Sequence, residues 1–388
     1  MPNPSRVKRL AVVACSSLIL LSLTGCWNYR EVDKVITVAG IAIDKGKEEG
    51  EIRLTIEMVD GSGGEDLMHI GSKRVTLSGS TMFEIVRNMI TETGMRLYWA
   101  HAKSIILSEE IAREGASKVL DWYVRDTETR ADIRVLVSGE KTAEEVLRTG
   151  GDSGGPLSFK IDEILKNEHS VSNFPVMEIF DFADTINTTG LSSILPMIYV
   201  KGSDGKQVAS IGGLAVFDKD KMLGTMDANQ TKYVLFLRDE IKGGILPLGG
   251  YRRSPSISLE IFKSKTKVEP VLVNGQVEIR VKTHTVVSVD EAQENINFSS
   301  KWLADTEKIA EDLLVKEMES VIGIAQQRYQ QDIFGFGNRI HKKMPKVWKS
   351  LEKDWDEHFS KLKVTVEADV EIKNTASVKK LIQPEEED

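Results

Sequence analysis

Cysteine is the scarcest reactive residue in this sequence, which has only Cys15 and Cys26 among its 388 residues. Cys15 lies in an amino-terminal segment that we expect to be removed from the mature protein. The remaining chain would hold a single thiol, so it could form neither an intramolecular disulfide nor a metal site built from several cysteines. A folded body must therefore rely on an apolar core, for which 41% hydrophobic residues provide the material.

Long apolar runs are also rare, and residues 10–23 form the only substantial one. This run follows the basic residues Arg6, Lys8 and Arg9. It is too short for a stable membrane span, which needs about 20 apolar residues. A basic head followed by a short apolar stretch is typical of an export signal peptide, so we predict that residues 1–25 are a removable signal.

The end of this segment, Leu-Thr-Gly-Cys at residues 23–26, is similar to the lipobox of bacterial lipoproteins. An ordinary secretory signal ends in an Ala-x-Ala-like site instead. The alternatives are an ordinary signal with a chance cysteine, or an anchor that is never cleaved. We predict cleavage before Cys26, followed by diacylglyceryl and N-acyl (palmitate-type) modification of Cys26. Two acyl chains suffice for stable attachment to a membrane, whereas one chain is marginal.

Basic residues are fewer than acidic ones, with 51 lysines and arginines against 59 aspartates and glutamates. Removal of the signal would take away three basic residues and no acidic one, so the mature chain is still more acidic. Such a surface repels phosphate backbones, which argues against nucleic-acid binding. The six histidines are scattered, with no pair three or four positions apart, so we predict no metal site. No phosphate-binding loop or dinucleotide fingerprint occurs, and we predict no cofactor.

A flexible spacer is missing after the predicted lipidation site. Trp27 and Tyr29 follow Cys26 almost directly, and a strand pattern begins at Val35. The nine residues from Cys26 to Val35 reach about 30 Å at most. The body should therefore lie close to the membrane, with Trp27 and Tyr29 as candidate contacts at the lipid headgroups. The alternative for Trp27 is that it packs into the fold.

The patterns that are present predict an α+β protein, with mixed α/β order along the chain and more than one lobe. Two threonine capping boxes begin helices, at residues 81–84 and 142–145. Alternating runs at 257–267 and 276–289 flank Asn274-Gly275, which favours a hairpin turn. A long carboxy-terminal helix is predicted over residues 301–330. Shorter patterns predict one strand over residues 97–107 and a helix that begins near Pro175.

The domain organisation follows from a polar, turn-rich stretch at residues 201–206, which is the best candidate boundary. We predict a signal peptide over residues 1–25 and an amino-terminal region over 26–200, with two lobes. A carboxy-terminal domain would cover 206–382, and an acidic disordered tail 383–388. Mixed and antiparallel sheets with packed helices would make up the body.

One loop is similar to a catalytic motif. Residues 151–156 (Gly-Asp-Ser-Gly-Gly-Pro) match the nucleophile loop of chymotrypsin-like serine proteases, with Ser153 as the nucleophile. That chemistry also needs a histidine base and an aspartate to orient it, and His101 with Asp126 or Asp132 lies upstream in the right order. However, only 52 residues separate His101 from Ser153 in the sequence, and helix patterns occupy them. This stretch is too short for the second β-barrel that the fold of that family requires. We interpret the loop as a glycine-rich linker.

Several stretches together resemble the Ger(x)C family, the lipoprotein C subunits of spore germinant receptors. They are residues 25–33 (Gly-Cys-Trp-Asn-Tyr-Arg-Glu-Val-Asp), 40–44 (Gly-Ile-Ala-Ile-Asp), 98–103 (Tyr-Trp-Ala-His-Ala-Lys), 213–217 (Gly-Leu-Ala-Val-Phe) and 332–337 (Asp-Ile-Phe-Gly-Phe-Gly). The resemblance runs over nearly the whole chain. The hexamer at residues 151–156 stands outside it.

The resemblance implies a non-enzymatic subunit of a receptor that triggers germination of spores in response to nutrients. It implies an α+β fold of about three lobes, and partners of two kinds, a polytopic A subunit and a permease-like B subunit. The location implied is the outer face of the spore inner membrane. The alternative is the solute-binding lipoprotein of an importer, which usually has a spacer after the cysteine and two similar parallel α/β lobes.

Overall fold

A computed structural model of the chain describes residues 35–61, 71–149, 155–202, 207–249, 257–292 and 298–374, together with residues 5 and 9. The predicted signal, the loop with Ser153 and the acidic tail fall almost entirely outside these ranges. Within them, helices and strands form one wide sheet, one narrow sheet and the helices that cover both. No helix in the described ranges has the length and apolar character needed to cross a membrane.

The wide sheet has nine strands in the order β3-β2-β1-β5-β6-β7-β8-β9, with β4 beside the start of β1. The strands are β1 (Val35–Lys45), β2 (Ile52–Asp60), β3 (Gly71–Gly79), β4 (Arg96–Tyr98), β5 (Ser104–Leu107), β6 (Arg134–Ser138), β7 (Ile194–Lys201), β8 (Val208–Asp218) and β9 (Lys221–Met226). Strands β1, β5, β6 and β7 are parallel, and antiparallel pairs extend the sheet on both sides.

Helices cover both faces of the wide sheet. They are α1 (Met82–Thr93), α2 (Glu109–Gly115), α3 (Ser117–Arg125), α4 (Ala143–Arg148), α5 (Leu157–Lys166), α6 (Glu168–Val171), α7 (Ile179–Thr185) and α8 (Ala228–Arg238). Successive residues of β1 point to opposite faces. Ile41 and Ile43 join the core under α1, α2 and α3, while Ala42 joins the core under α4 and α5. The parallel strands are buried on both sides for this reason.

The narrow sheet has four strands, β10 (Ile245–Pro247), β11 (Ile257–Val273), β12 (Gln276–Ala292) and β13 (Lys363–Asn374), in that order. The predicted β11–β12 hairpin is confirmed, and its turn residues Asn274 and Gly275 have φ angles of 51° and 82°. Positive φ at both positions matches the right-handed twist of the strands. Strand β13 pairs with β12 in parallel register.

The long carboxy-terminal helix is confirmed as α9 (Ser300–Ile324), which continues into a π-turn at Ala325–Tyr329. Three short helices follow, namely α10 (Phe336–Lys343), α11 (Pro345–Leu351) and α12 (Trp355–Ser360), with a 3₁₀ turn at Glu352–Asp354. The core on the α1–α3 face of the wide sheet runs on through the narrow sheet and α9. The α+β class, the mixed sheets and the long helix agree with the sequence prediction.

Two predicted elements were wrong in their extent. The single strand predicted over residues 97–107 is divided into β4 and β5, because the Lys103 N–H donates to Ala39 O at 2.7 Å and Ala102 N–H closes a turn onto Trp99. The helix predicted from Pro175 begins only at Ile179. The preceding Met177 O instead accepts a hydrogen bond from Val135 N–H of β6, which holds this segment in extended conformation.

The predicted domain boundary at residues 201–206 lies between two strands that pair with each other. Strands β7 and β8 are antiparallel, with Lys201 opposite Val208. The wide sheet therefore includes strands from both sides of this boundary. The division of the chain into separate domains stays a prediction.

Candidate functional site

The predicted lipidation site, Cys26, and its neighbours Trp27 and Tyr29 lie outside the described residues. The first continuous described stretch begins with Val35 at the start of β1, and residues 35–37 pair in parallel with β4. In a parallel sheet the amino-terminal ends of the strands lie at the same edge, and here they include Val35, Ser104 and Arg134. We call this the amino edge. It is the part of the body that a short tether from Cys26 would reach first.

The segment Tyr98–Lys103 lies at the amino edge, beside the entry of β1. Trp99 is 3% exposed and makes an edge-to-face contact with Trp122, with ring centroids 5.1 Å apart. The exposed His101 instead contacts the ring of Tyr98 at 5.5 Å. Since the Lys103 N–H donates to β1 and Lys103 O accepts from Arg134 N–H, this segment is held to two strands at once. The motif thus forms a rigid turn whose buried tryptophan fixes it.

Ion pairs surround the amino edge. Arg130 forms a bidentate pair with Asp132, with Nε–Oδ1 and Nη2–Oδ2 distances of 2.9 and 2.8 Å. The guanidinium lowers the pKa of the Asp132 carboxyl below its usual range. Lys73 and Asp60 pair at 3.0 Å between Nζ and Oδ2 on the neighbouring strands. The edge therefore presents charges of both signs, and its exposed cations are already partly neutralised.

Two buried carboxylates hold helices against the wide sheet. Asp44, at the end of β1, accepts the backbone N–H groups of Ala143 and Glu144 at 2.6 and 3.0 Å, which are the first residues of α4. Burial raises the pKa of Asp44, although these two N–H groups act in the opposite direction. Because the amino terminus of a helix has unsatisfied N–H groups and a positive partial charge, a carboxylate there stabilises the helix.

Glu57 of β2 does the same for α5, a role that no sequence pattern predicted. Its side chain is fully buried and accepts the N–H groups of Leu157 and Ser158, each at 2.9 Å, and the Ser158 hydroxyl at 2.7 Å. The residue before α5 is Pro156, which offers no side-chain cap. Gly40 lies beside this contact, and a Cβ there would come within 2.0 Å of Ser158 Oγ. Gly40 and Asp44 thus serve helix docking.

A third buried carboxylate organises the loop at residues 332–337. Asp332 is 0% exposed, and its Oδ1 accepts the N–H groups of Phe334, Gly335 and Phe336 at 2.9–3.1 Å. Its Oδ2 accepts Gly337 N–H at 2.7 Å and the Trp355 indole N–H at 3.2 Å. Burial raises the pKa of Asp332 to about 6 despite these donors. The carboxylate therefore shapes the whole turn.

The 332–337 loop also joins the carboxy-terminal helices to the wide sheet. Asp332 O accepts Ser192 N–H at 2.8 Å. A Cβ on Gly190 would come within 2.7 Å of the Trp348 ring and 3.0 Å of Gly337 Cα. Backbones approach this closely only where both residues are glycine. Since Phe334 and Phe336 are 6% and 0% exposed, the structure supports a packing role for this motif.

Comparison with known proteins assigns these motifs to one family. A model described as "Spore germination protein N-terminal domain" matches residues 28–200, and one described as "Spore germination B3/ GerAC like, C-terminal" matches residues 212–376. The chain belongs to the Ger(x)C family of spore germination proteins.

Relatives from Bacillus subtilis (strain 168) match along nearly their full length. Spore germination protein B3 is 26% identical, with 93% of this chain and 97% of that protein covered. Spore germination protein YndF is 25% identical, with 97% and 99% covered. Spore germination protein KC is 25% identical, with 94% and 95% covered. A crystal structure of the GerBC protein has the same fold, with a TM-score of 0.59 at 22% identity over 86% of this chain and 96% of that one.

The candidate catalytic residues are not assembled by the described part of this Ger(x)C chain. Ser153 lies outside it, so its predicted linker role stays a prediction. Asp126 accepts Glu128 N–H at 2.8 Å, and Asp132 is paired with Arg130. Within the described ranges, no three or more histidine, cysteine, aspartate and glutamate side chains converge as a metal site would require.

Proposed function

We propose that this chain is the lipid-anchored, non-enzymatic C subunit of a spore germinant receptor, needed for nutrient-triggered germination. Lipid on Cys26 would hold it on the outer face of the spore inner membrane, beside the A and B subunits. Membership of a spore germination family supports the role in germination. The observation that carries the anchored form of the proposal is the position of the lipobox, because the family match begins at residue 28, two residues after Cys26.

The geometry of the amino edge supports this arrangement. Val35 is nine residues from Cys26, and such a tether spans about 30 Å at most. Strand β1 starts at the amino edge, so this edge would be the part of the body nearest the lipid. Trp27 and Tyr29, within the tether, would then lie at headgroup depth, where amphipathic aromatic rings are favoured. The body would act through its position and orientation relative to the partner subunits in the membrane.

The buried polar groups support a role without catalysis. Asp44, Glu57 and Asp332 are the buried carboxylates with the most backbone contacts, and each holds a helix or a loop. All three are enclosed in the core, with at most 3% of each residue exposed. The fold also favours this proposal over an importer's solute-binding protein, because one wide mixed sheet replaces two similar parallel lobes.

Lipidation is tested by replacing Cys26 with alanine, with Cys15→Ala as the matched control. We expect Cys26→Ala to leave the precursor uncleaved and to abolish labelling by a palmitate analogue, because no other thiol of the mature chain can carry the lipid. Cys15→Ala should be labelled like the wild type. Labelling, membrane fractionation and germination rate are measured at matched protein level. Equal labelling of wild type and Cys26→Ala would overturn the anchored form of the proposal.

A further inference from the structure

A groove runs along the face of the wide sheet between α1 and α3, and it encloses about 780 Å³. Arg96 lines one end, next to Val35 at the amino edge, and Lys45 lines the other, at the far end of the 11-residue strand β1. At about 3.3 Å per residue this strand is roughly 35 Å long. The groove therefore leads from the edge nearest the predicted anchor to the opposite edge.

The groove is lined by both apolar and charged side chains, and an exposed aromatic side chain lies on its rim. Phe83 on α1 is 52% exposed, whereas Met82 and Val119 in the lining are buried. Trp122 of α3 also lines it. The guanidinium carbon of Arg87 lies 4.9 Å from the centroid of the Phe83 ring, one helical turn away. Aromatic and arginine side chains of this kind are enriched at the energetic centres of protein interfaces.

Most charges in the groove already have partners within the chain. Lys45 pairs with Glu114, Arg125 Nε lies 2.6 Å from Asp121 Oδ2, and Arg96 Nη2 lies 2.7 Å from Glu128 Oε1. The two other lining carboxylates accept backbone hydrogen bonds, Glu51 from Lys47 and Glu48, and Asp126 from Glu128.

Two cations of the groove remain without a carboxylate. Arg87 on one wall and Lys118 on the other form no ion pair within the parts of the chain that the structure describes, and both are exposed. An occupant of the groove that carries carboxylates can therefore pair with these two cations. The complementary surface of an occupant would place an apolar group against Phe83 and Trp122. Carboxylates on either side of that group would face Arg87 and Lys118.

We propose that the groove docks an acidic segment of another receptor subunit, with an aliphatic or aromatic anchor that packs against Phe83 and Trp122. This inference rests on the proposed function. The groove is partly open to solvent, which suits helix-in-groove or extended-peptide recognition, whereas small-molecule sites enclose most of their ligand. Its direction suits a segment that rises from the membrane beside the anchor.

The test places the photo-crosslinking residue benzoylphenylalanine at position 83 of the full-length protein in spores. The matched control carries it at Phe180, which is 60% exposed on α7 and does not line the groove. We expect illumination to join the position-83 variant to a germinant-receptor subunit, identified by mass spectrometry, through a peptide that contains carboxylates. The position-180 variant should give no such product.

Charge reversal provides the second arm. Arg87→Glu with Lys118→Glu should lower the position-83 crosslink and the germination rate by roughly tenfold or more, since two attractive contacts become repulsive. The control reverses two exposed lysines elsewhere, Lys160→Glu with Lys346→Glu, and should behave like the wild type. Protein level and membrane association are measured for each variant.

The outcomes separate the two proposals. If deletion of the whole chain left germination unchanged, the proposed function would fail. If deletion abolished germination while the charge reversal had no effect, the docking inference alone would be wrong. A crosslink to lipid, an equal crosslink from position 180, or no crosslink at all from position 83 would also overturn it.

Discussion

Replacement of Asp332 by alanine removes the acceptor of five buried donors, four backbone N–H groups and the Trp355 indole N–H. Each buried donor left without a partner costs about 1–3 kcal/mol. The variant also no longer buries a charge. Because the pKa of Asp332 rises from 3.8 to about 6 even with these donors in place, burial of the charge costs at least roughly 3 kcal/mol at pH 7, and the variant avoids this cost. Water can satisfy some of the donors, so we expect a net loss of about 3–5 kcal/mol in the free energy of unfolding.

Asp332→Asn separates lost hydrogen bonds from lost volume. Oδ1 of Asp332 accepts three backbone N–H groups, and Oδ2 accepts one backbone N–H and the indole N–H. The amide oxygen of asparagine can accept only one of these two sets, because the NH₂ group that faces the other set cannot accept. The variant keeps nearly the same shape and also escapes the cost of charge burial. We therefore expect Asp332→Asn to be less destabilised than Asp332→Ala, and both to be less stable than the wild type at pH 7.

The assay is urea unfolding followed by tryptophan fluorescence, since Trp348 and Trp355 pack beside the loop, with hydrogen exchange of the Gly335 and Gly337 amides. We expect these amides to exchange faster in both variants. Asp354→Asn is the matched control, because Asp354 is exposed and its loss should change stability by no more than about 0.5 kcal/mol. A urea midpoint of Asp332→Ala equal to that of the wild type would refute the reasoning, as would slower hydrogen exchange of the Gly335 and Gly337 amides.

Three further predictions concern the same structure. The native state binds a proton on Asp332 below pH about 6, whereas the unfolded chain binds it only below about 3.8, so the stability that this proton gives is present at low pH and is lost as pH rises through about 6. The wild type should therefore gain on the order of 1 kcal/mol over Asp332→Asn between pH 7 and 5. Urea midpoints that differ equally at both pH values would contradict this. Gly40→Ala should lower the melting temperature, because the added Cβ would come within 2.0 Å of Ser158 Oγ. The control Gly323→Ala lies in α9 with no atom within 4 Å of the added Cβ, and it should raise stability by about 0.5–1 kcal/mol. The reverse order of stabilities would exclude a close approach at Gly40. A 20-residue Gly/Ser insert after Tyr29 would add about 25 Å of root-mean-square length to the tether. Germination should then slow, while lipidation and the melting temperature stay unchanged. A wild-type germination rate would mean that the short tether is not required.

The local elements of the fold were predictable from the sequence because their causes are local. Thr81 and Thr142 each accept a hydrogen bond from a backbone N–H three residues on, which is the pattern that a capping box encodes. The Asn274-Gly275 turn adopts the positive φ angles that these residue types favour. Alternating apolar residues predicted β11 and β12 in the same way. The signal peptide and the lipobox also rest on adjacent residues, and they stay predictions.

The candidate site followed from the sequence only in part. The resemblance at residues 40–44 and 332–337 identified the family, but it did not reveal what these residues do. Glu57 carries no local signal, because a glutamate in an alternating strand is usually an exposed residue on the polar face. The groove between α1 and α3 was likewise invisible, since Phe83 and Trp122 come from helices whose relative position the helix pattern does not contain.

Sequence by itself determined the type and approximate position of the capped helices, the long carboxy-terminal helix and the hairpin. Tertiary structure decided which polar groups are buried together. Asp44 and Glu57 reach the helices that they hold across 99 and 100 residues of chain, and Asp332 shapes a turn that meets Gly190 of a distant loop. The physical reason is that a hydrogen bond between such groups is favourable only once the sheet has excluded water and brought them within about 3 Å, which depends on strand order rather than on neighbouring residues.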